Sequence, residues 1–196
     1  MLTKEQKKWL SHLSDKKKIA IIPYDPTAQN KFEKVKQKIQ SVLGKKTKVL
    51  HCGATGLGIS GQDEIDMYVV VPPSKYESSI PYLISLFGPP ETHYPLQRTR
   101  FVTKDNGKHI DVHLVNQEHE AWKNQVNFED YLRSNPKTLN IYRKLKEKGA
   151  GLTEREYYKI KVGFINNILN KARLSQNTQP RFNSIPSPTL RNLHLE

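Results

Sequence analysis

The 196-residue chain has a single cysteine, Cys52, which excludes an intramolecular disulfide framework and suits a reducing compartment. No apolar run approaches the ~18 residues that a membrane-crossing helix requires. The opening residues MLTKEQKKWLSHLSDKKK lack the apolar core of a secretory signal. Together these absences predict a cytoplasmic protein with no membrane partner. There is no internal repeat. Acidic residues are also scarce, 19 against 32 lysines and arginines, leaving a net charge of +13.

That excess of positive charge attracts polyanions: nucleotides, nucleic acid or an acidic surface. Lysines crowd the N-terminal segment at Lys4, Lys7, Lys8, Lys16, Lys17 and Lys18. A solubilising lysine coat accounts for them equally well, and charge alone does not choose between RNA and a small triphosphate. With 36% hydrophobic residues the chain is polar but long enough for a core.

The periodicities divide it into a sheet half and a helical half. A short amphipathic helix is expected over residues 2–13, placing Leu2, Trp9, Leu10 and Leu13 on one stripe. Ile19–Tyr24 reads as a buried strand ended by Asp25-Pro26. Phe32, Val35, Ile39, Val42 and Leu43 recur at helical spacing up to a Gly44 cap. Strands follow at Val49–Cys52 and Ile65–Val71, then a helix through Ile80, Leu83, Ile84 and Phe87. Arg98–Thr103 and His109–Val115 form a hairpin turning on Asn106-Gly107. Beyond Asn116 the pattern is helical only. The last helix starts at Thr153 with Glu156 as a capping-box partner, and runs through Ile160, Phe164, Ile165, Ile168 and Leu169. The boundaries expected are a basic N-terminal helix (1–18), a sheet core (19–116), a helical portion packed on it (117–174) and a flexible tail (175–196).

Candidate chemistry centres on Lys48–Val71, where the glycines Gly53, Gly56, Gly58 and Gly61 precede Glu64 and Asp66. Residues two apart on a strand share a face, so both carboxylates lean into one site beside a pliant loop. Asp111, in Ile110-Asp111-Val112, is a third acid on a strand of the kind that pairs beside the first. Three such acids can hold one or two Mg²⁺ ions that bridge phosphate oxygens. His109 and His113 flank Asp111 on the same face as general-base or ligand candidates, or as simple polar alternation. Arg98 and Arg100 share a face suited to phosphate. Lys161 lies on the apolar stripe of the last helix, a costly position unless it meets an anion or reaches out to the rim.

These motifs, in this order, resemble the GrpB family, a branch of the polymerase-β-like nucleotidyltransferase superfamily. Ile21–Pro26 followed by Phe32 is similar to the family's opening, with Ala28 where tryptophan is usual. His51-Cys52-Gly53-Ala54-Thr55 resembles its H-I-G-S-T loop, with alanine for serine, and Asp66 matches the acid of its P-I-I-D-I strand. His109–Val115 resembles its H-h-H-V strand, His113 being the better match, and Phe128–Lys146 and Tyr157–Phe164 its C-terminal helices. The resemblance covers residues 19–173. It implies an α+β fold: a mixed-sheet nucleotidyltransferase-like core with flanking helices, followed by a helical portion. It also implies transfer of NMP from an NTP to an acceptor, with Mg²⁺ or Mn²⁺ held by Glu64, Asp66 and Asp111. Gly53, Ala54 and Thr55 would wrap the triphosphate, with Arg100, Lys161 and His113 as further phosphate contacts. The competing readings are a nucleotide- or RNA-binding module without turnover and a phosphate-ester hydrolase using the same metals.

Overall fold

In the computed structural model, which describes residues 1–105 and 107–178, a five-stranded mixed sheet carries helices on both faces. The elements run α1 (Lys4–Ser11), α2 (Ala28–Leu43), β1 (Lys48–Cys52), α3 (Gly53–Gly56), β2 (Glu64–Val71), α4 (Pro73–Phe87), β3 (Thr92–Tyr94), β4 (Arg98–Asp105), β5 (Lys108–Asn116), α5 (Glu120–Ser134), α6 (Pro136–Lys148) and α7 (Glu154–Thr178). The strand order is β1-β2-β5-β4-β3. Only β2 and β5 lie parallel; the other neighbours are antiparallel.

Strand β2 shows why the sheet has two chemically distinct faces. Its odd-numbered residues Ile65, Met67, Val69 and Val71 are buried with Ile110, Val112 and Leu114 of β5. Phe32, Val35 and Ile39 of α2 and Tyr76 and Leu83 of α4 close over them. Its even-numbered residues Glu64, Asp66 and Tyr68 point the other way, as alternation demands. On that second face α5, α6 and α7 pack around Phe128, Leu132, Tyr142 and Ile168, and α3 joins them through Ala54. The expected caps are present: Gly44 ends α2 at φ +98°, and Thr153 and Glu156 exchange capping-box hydrogen bonds at the start of α7.

Three expectations need correction. Ile19–Tyr24 is not a strand of the sheet. Its backbone bonds to loops instead, Ile19 to Gly151 and Leu152, and Ile22 to Gly61. The glycine loop begins with a helical turn, Gly53–Gly56. Helix α7 continues past Ser175 to Thr178; the remainder of the expected tail, like Asn106 of the hairpin turn, lies outside the described residues.

The residues before β2 are pinned by Lys108. Its side chain, 6% exposed, forms ion pairs with Asp25 and Asp63, the latter at φ +65°. Removing the cation leaves two acids facing each other, so Lys108→Met is expected to destabilise the fold by about 3 kcal/mol. Urea unfolding measures this, and a loss below about 1 kcal/mol contradicts it. The hydrogen bond from Lys108 holds Asp25 well below the ordinary carboxylate range. That contribution is therefore complete above about pH 4 and fades only on stronger acidification.

Candidate active site

Parallel pairing of β2 with β5 sets Asp66 directly opposite Asp111 and Tyr68 opposite His113. These side chains, with Glu64, line a cleft of about 490 Å³ between the sheet and the helices. Asp66, Asp111 and His113 each offer a ligand atom, and all three atoms lie within 4.8 Å of one another. Glu64 shares their face but stands outside that cluster. Arg100, on the neighbouring β4, donates from Nε (3.0 Å) and Nη2 (2.7 Å) to one oxygen of Asp111, its Oδ2.

Gly53 stands against the acids. Its φ is +68°, and a Cβ there would sit 1.8 Å from Asp66 Oδ2. Only glycine combines that backbone with so close an approach. The Gly53 N–H donates to Glu129 Oε1 at 2.9 Å, so a carboxylate of α5 already caps the loop. Glu129 is 5% exposed and also accepts from Gln125 and Arg133. Thr55 is turned away from the cleft. Its hydroxyl donates to the Glu64 carbonyl and meets His51 Nε2, tying α3 to the start of β2.

Across the cleft stand two lysines, Lys146 of α6 and Lys161 of α7. Lys146 is 4% exposed, with its ammonium 5.6 Å from the Tyr142 ring; that of Lys161 is 5.1 Å from the Tyr158 ring. Among the described residues, neither makes an ion pair. Burial lowers both lysines, Lys146 to about 7, with Lys161 adding to its shift. Burial pushes Asp66 up to about 7, reinforced by the Glu64 carboxylate, and raises Glu64, reinforced by Asp111. His113, stacked on Tyr68, is lowered to about 3 by burial and then by Arg98 and Arg100, so its imidazole is neutral, the form that ligates metals.

Of the residues singled out from the sequence, Glu64, Asp66, Asp111, His113, Arg100, Gly53, Ala54 and Lys161 share this cleft, whereas Thr55 does not. His109 is exposed outside it. Glu129 and Lys146 are the additions. Both lie on the inward stripe of amphipathic helices, Glu129 beside Phe128 and Lys146 four residues after Tyr142. The lone Cys52 is buried, and burial raises its thiol, so it is no nucleophile candidate.

A family model described as "GrpB protein" matches residues 18–171. The chain belongs to the GrpB family. It is similar to the UPF0157 protein BH1888 of Halalkalibacterium halodurans, 27% identical over 160 residues that cover 79% of this chain and 82% of that protein. The crystal structure of conserved protein GrpB from Enterococcus faecalis overlays with a TM-score of 0.65 at 22% identity, covering 80% of this chain and 99% of that one, which shows a shared fold. A polymerase beta ternary complex from Leishmania infantum overlays at a TM-score of 0.37 and 15% identity, over 79% of this chain and 62% of that one, too distant to bear on this GrpB protein.

The donor set of the GrpB cleft suits a divalent cation. Two carboxylates match Mg²⁺ or Mn²⁺, and the neutral imidazole of His113, whose buried Nδ1 has no hydrogen-bond partner among the described residues, favours the less strictly oxygen-seeking Mn²⁺. Among the described residues no helix is long and apolar enough to cross a membrane.

Proposed function

We propose that this GrpB protein is a divalent-metal-dependent nucleotidyltransferase, moving NMP from an NTP to an acceptor hydroxyl or phosphate. One observation carries the reading: paired acids from adjacent strands face two lysines across a single cleft, Lys146 buried and Lys161 half-buried, neither with an ion pair among the described residues. Asp66 and Asp111 would hold the cation, with His113 or Glu64 completing the set. When bound, the cation would offset charge on the phosphates and on the departing pyrophosphate. Lys146 and Lys161 provide the opposing positive wall for the triphosphate, and Gly53 lets the loop approach closely. Arg100 orients Asp111 by occupying one of its oxygens. Glu64, raised by burial, would accept the proton of an acceptor hydroxyl where it is not a ligand to the cation.

A second reading, nucleotide binding without turnover, is favoured by the two internal contacts that engage the machinery: Arg100 on Asp111 and Glu129 on the Gly53 N–H. Labelled NTPs with Mg²⁺ or Mn²⁺ and a pool of RNA, protein and small-molecule acceptors separate the two. Pyrophosphate with a labelled acceptor supports transfer. Phosphate or NMP alone indicates a hydrolase. Binding without turnover, unchanged in the double variant Glu64→Ala/Asp66→Ala, would falsify the enzyme reading. A steep loss of RNA binding with salt assigns the lysine coat to polyanion contact.

The lysines give a separate expectation. Lys146→Met or Lys161→Met should each weaken NTP binding by about tenfold or more, the loss of a charged hydrogen bond to phosphate. Thermal stability should hold or rise, since a desolvated charge is removed. Unchanged affinity together with a lower melting temperature makes the lysines structural.

A further inference from the structure

Helix α1 is fastened to α7 by polar contacts that its own apolar burial does not explain. Within α1 only Leu10 is buried. Arg155 donates to the carbonyls of Leu10 (3.1 Å), Ser11 (3.2 Å) and Leu13 (2.8 Å), and pairs with Asp15. Lys17 pairs with Glu154 at 3.1 Å, and the amides of Gln6 and Asn166 bond to each other in both directions. A capping box at Thr3 and Gln6 fixes the helix start. So anchored, α1 nevertheless leaves its largest apolar side chain, Trp9, 44% exposed. The indole does not face bulk solvent alone: it lines the cleft that holds the acids.

We propose, building on the nucleotidyltransferase reading, that Trp9 is the plate on which the base of the bound nucleoside triphosphate stacks, with α1 as that end of the site. The cleft is ordered for such a ligand. Asp66 and Asp111 lie on the sheet floor, and Lys161 stands on the opposing wall with its ammonium 5.1 Å from the Tyr158 ring. Tyr158 in turn meets Trp9 edge to face, centroids 5.4 Å apart at 77°. One aromatic ring thus separates the phosphate-binding cation from the indole, much as a ribose separates phosphate from base. An edge-to-face contact takes up at most one broad face of Trp9, and Tyr158 is itself tethered to Gln62. The fixed backbone of α1 means that stacking immobilises little besides the ligand, so affinity is not eroded by ordering a loose arm. Because every base has a π face, this subsite takes any nucleobase. It also lies ahead of the family match, which starts at residue 18, and so adds this chain's own N-terminal segment to the shared core.

The chain's other tryptophan, Trp122, is buried behind the cleft-lining Tyr68 and does not itself line the cleft. A Trp122→Phe protein therefore reports on Trp9 alone by fluorescence. In that background NTPs are expected to quench the indole, whereas inorganic tripolyphosphate, binding by calorimetry, leaves it unchanged. In the otherwise native chain Trp9→Leu should weaken NTP binding about tenfold, with tripolyphosphate binding unaltered and Trp9→Phe restoring most of the loss. Native NTP affinity in Trp9→Leu, with no fluorescence response, overturns the stacking assignment and leaves the nucleotide reading standing. An equal loss for NTP and tripolyphosphate overturns it too, making Trp9 a structural support. Failure of the native chain to bind any NTP removes both readings together.

Discussion

Asp66→Asn is expected to reduce nucleotidyl transfer by about three orders of magnitude while raising thermal stability. The two effects share one cause. Asp66 is held in a cleft where burial and the Glu64 carboxylate oppose its ionisation, pushing its pKa up to about 7. The unfolded chain ionises this group near pH 4, so between pH 4 and 7 the folded state retains a proton that the unfolded state has lost. Folding is therefore penalised progressively as pH rises through that window, and fully above it. Asparagine keeps the shape and removes the penalty, for a gain of about 1 kcal/mol at neutral pH. Melting temperatures of the two metal-free proteins should nearly coincide at pH 4 and diverge by pH 7.5, the variant being higher. A variant that retains transfer removes Asp66 from the chemistry; one that melts lower at neutral pH shows that the carboxylate supports the fold.

Much of this site is legible in the sequence. Period-two alternation assigned Glu64 and Asp66 to one face of the strand, and Ile65, Met67, Val69 and Val71 do fall on the other, in the core. Lys161 was legible as a cation on an apolar helical stripe. The same criterion applied to α5 and α6 finds Glu129 and Lys146, whose inward positions follow from Phe128, Leu132 and Tyr142. What resisted reading were facts of partnership. Thr55 is correctly placed in the chain beside the loop, yet its hydroxyl is engaged by His51 and the Glu64 carbonyl, contacts set by tertiary packing. Ile19–Tyr24 has a strand's composition, but its backbone partners are the loops around Gly61 and Gly151–Leu152, and Pro23 cannot donate to a ladder. Strand β3 spans only Thr92–Tyr94, too few residues to show a period. The Gly53 cap from Glu129 joins residues 76 positions apart, a pairing no local pattern encodes.

Gly53→Ala should be the most damaging small substitution in the chain, and Gly58→Ala is its control. Both glycines have φ +68°, so either alanine carries a left-handed backbone penalty of about 1 kcal/mol. At Gly58 the new methyl meets nothing within 4 Å among the described residues, and that penalty is the whole expectation. At Gly53 the methyl would lie 1.8 Å from Oδ2 and 2.7 Å from Cγ of Asp66, so the carboxylate or the α3 turn must move. Displacing the turn also strains the bond from the Gly53 N–H to the buried Glu129. Together these raise the loss to about 4 kcal/mol. Adding Asp66→Ala to Gly53→Ala removes the two closest atoms and should recover about 2 kcal/mol, whereas adding it to Gly58→Ala should show no coupling. Equal unfolding free energies for the two single alanine variants would mean that Asp66 is not held against the loop. A loss at Gly53 that Asp66→Ala fails to relieve would place the strain at Glu129 instead. The expected coupling, read by urea denaturation, makes the glycine a requirement of the acid: the loop needs no side chain at this position because Asp66 occupies the space one would fill.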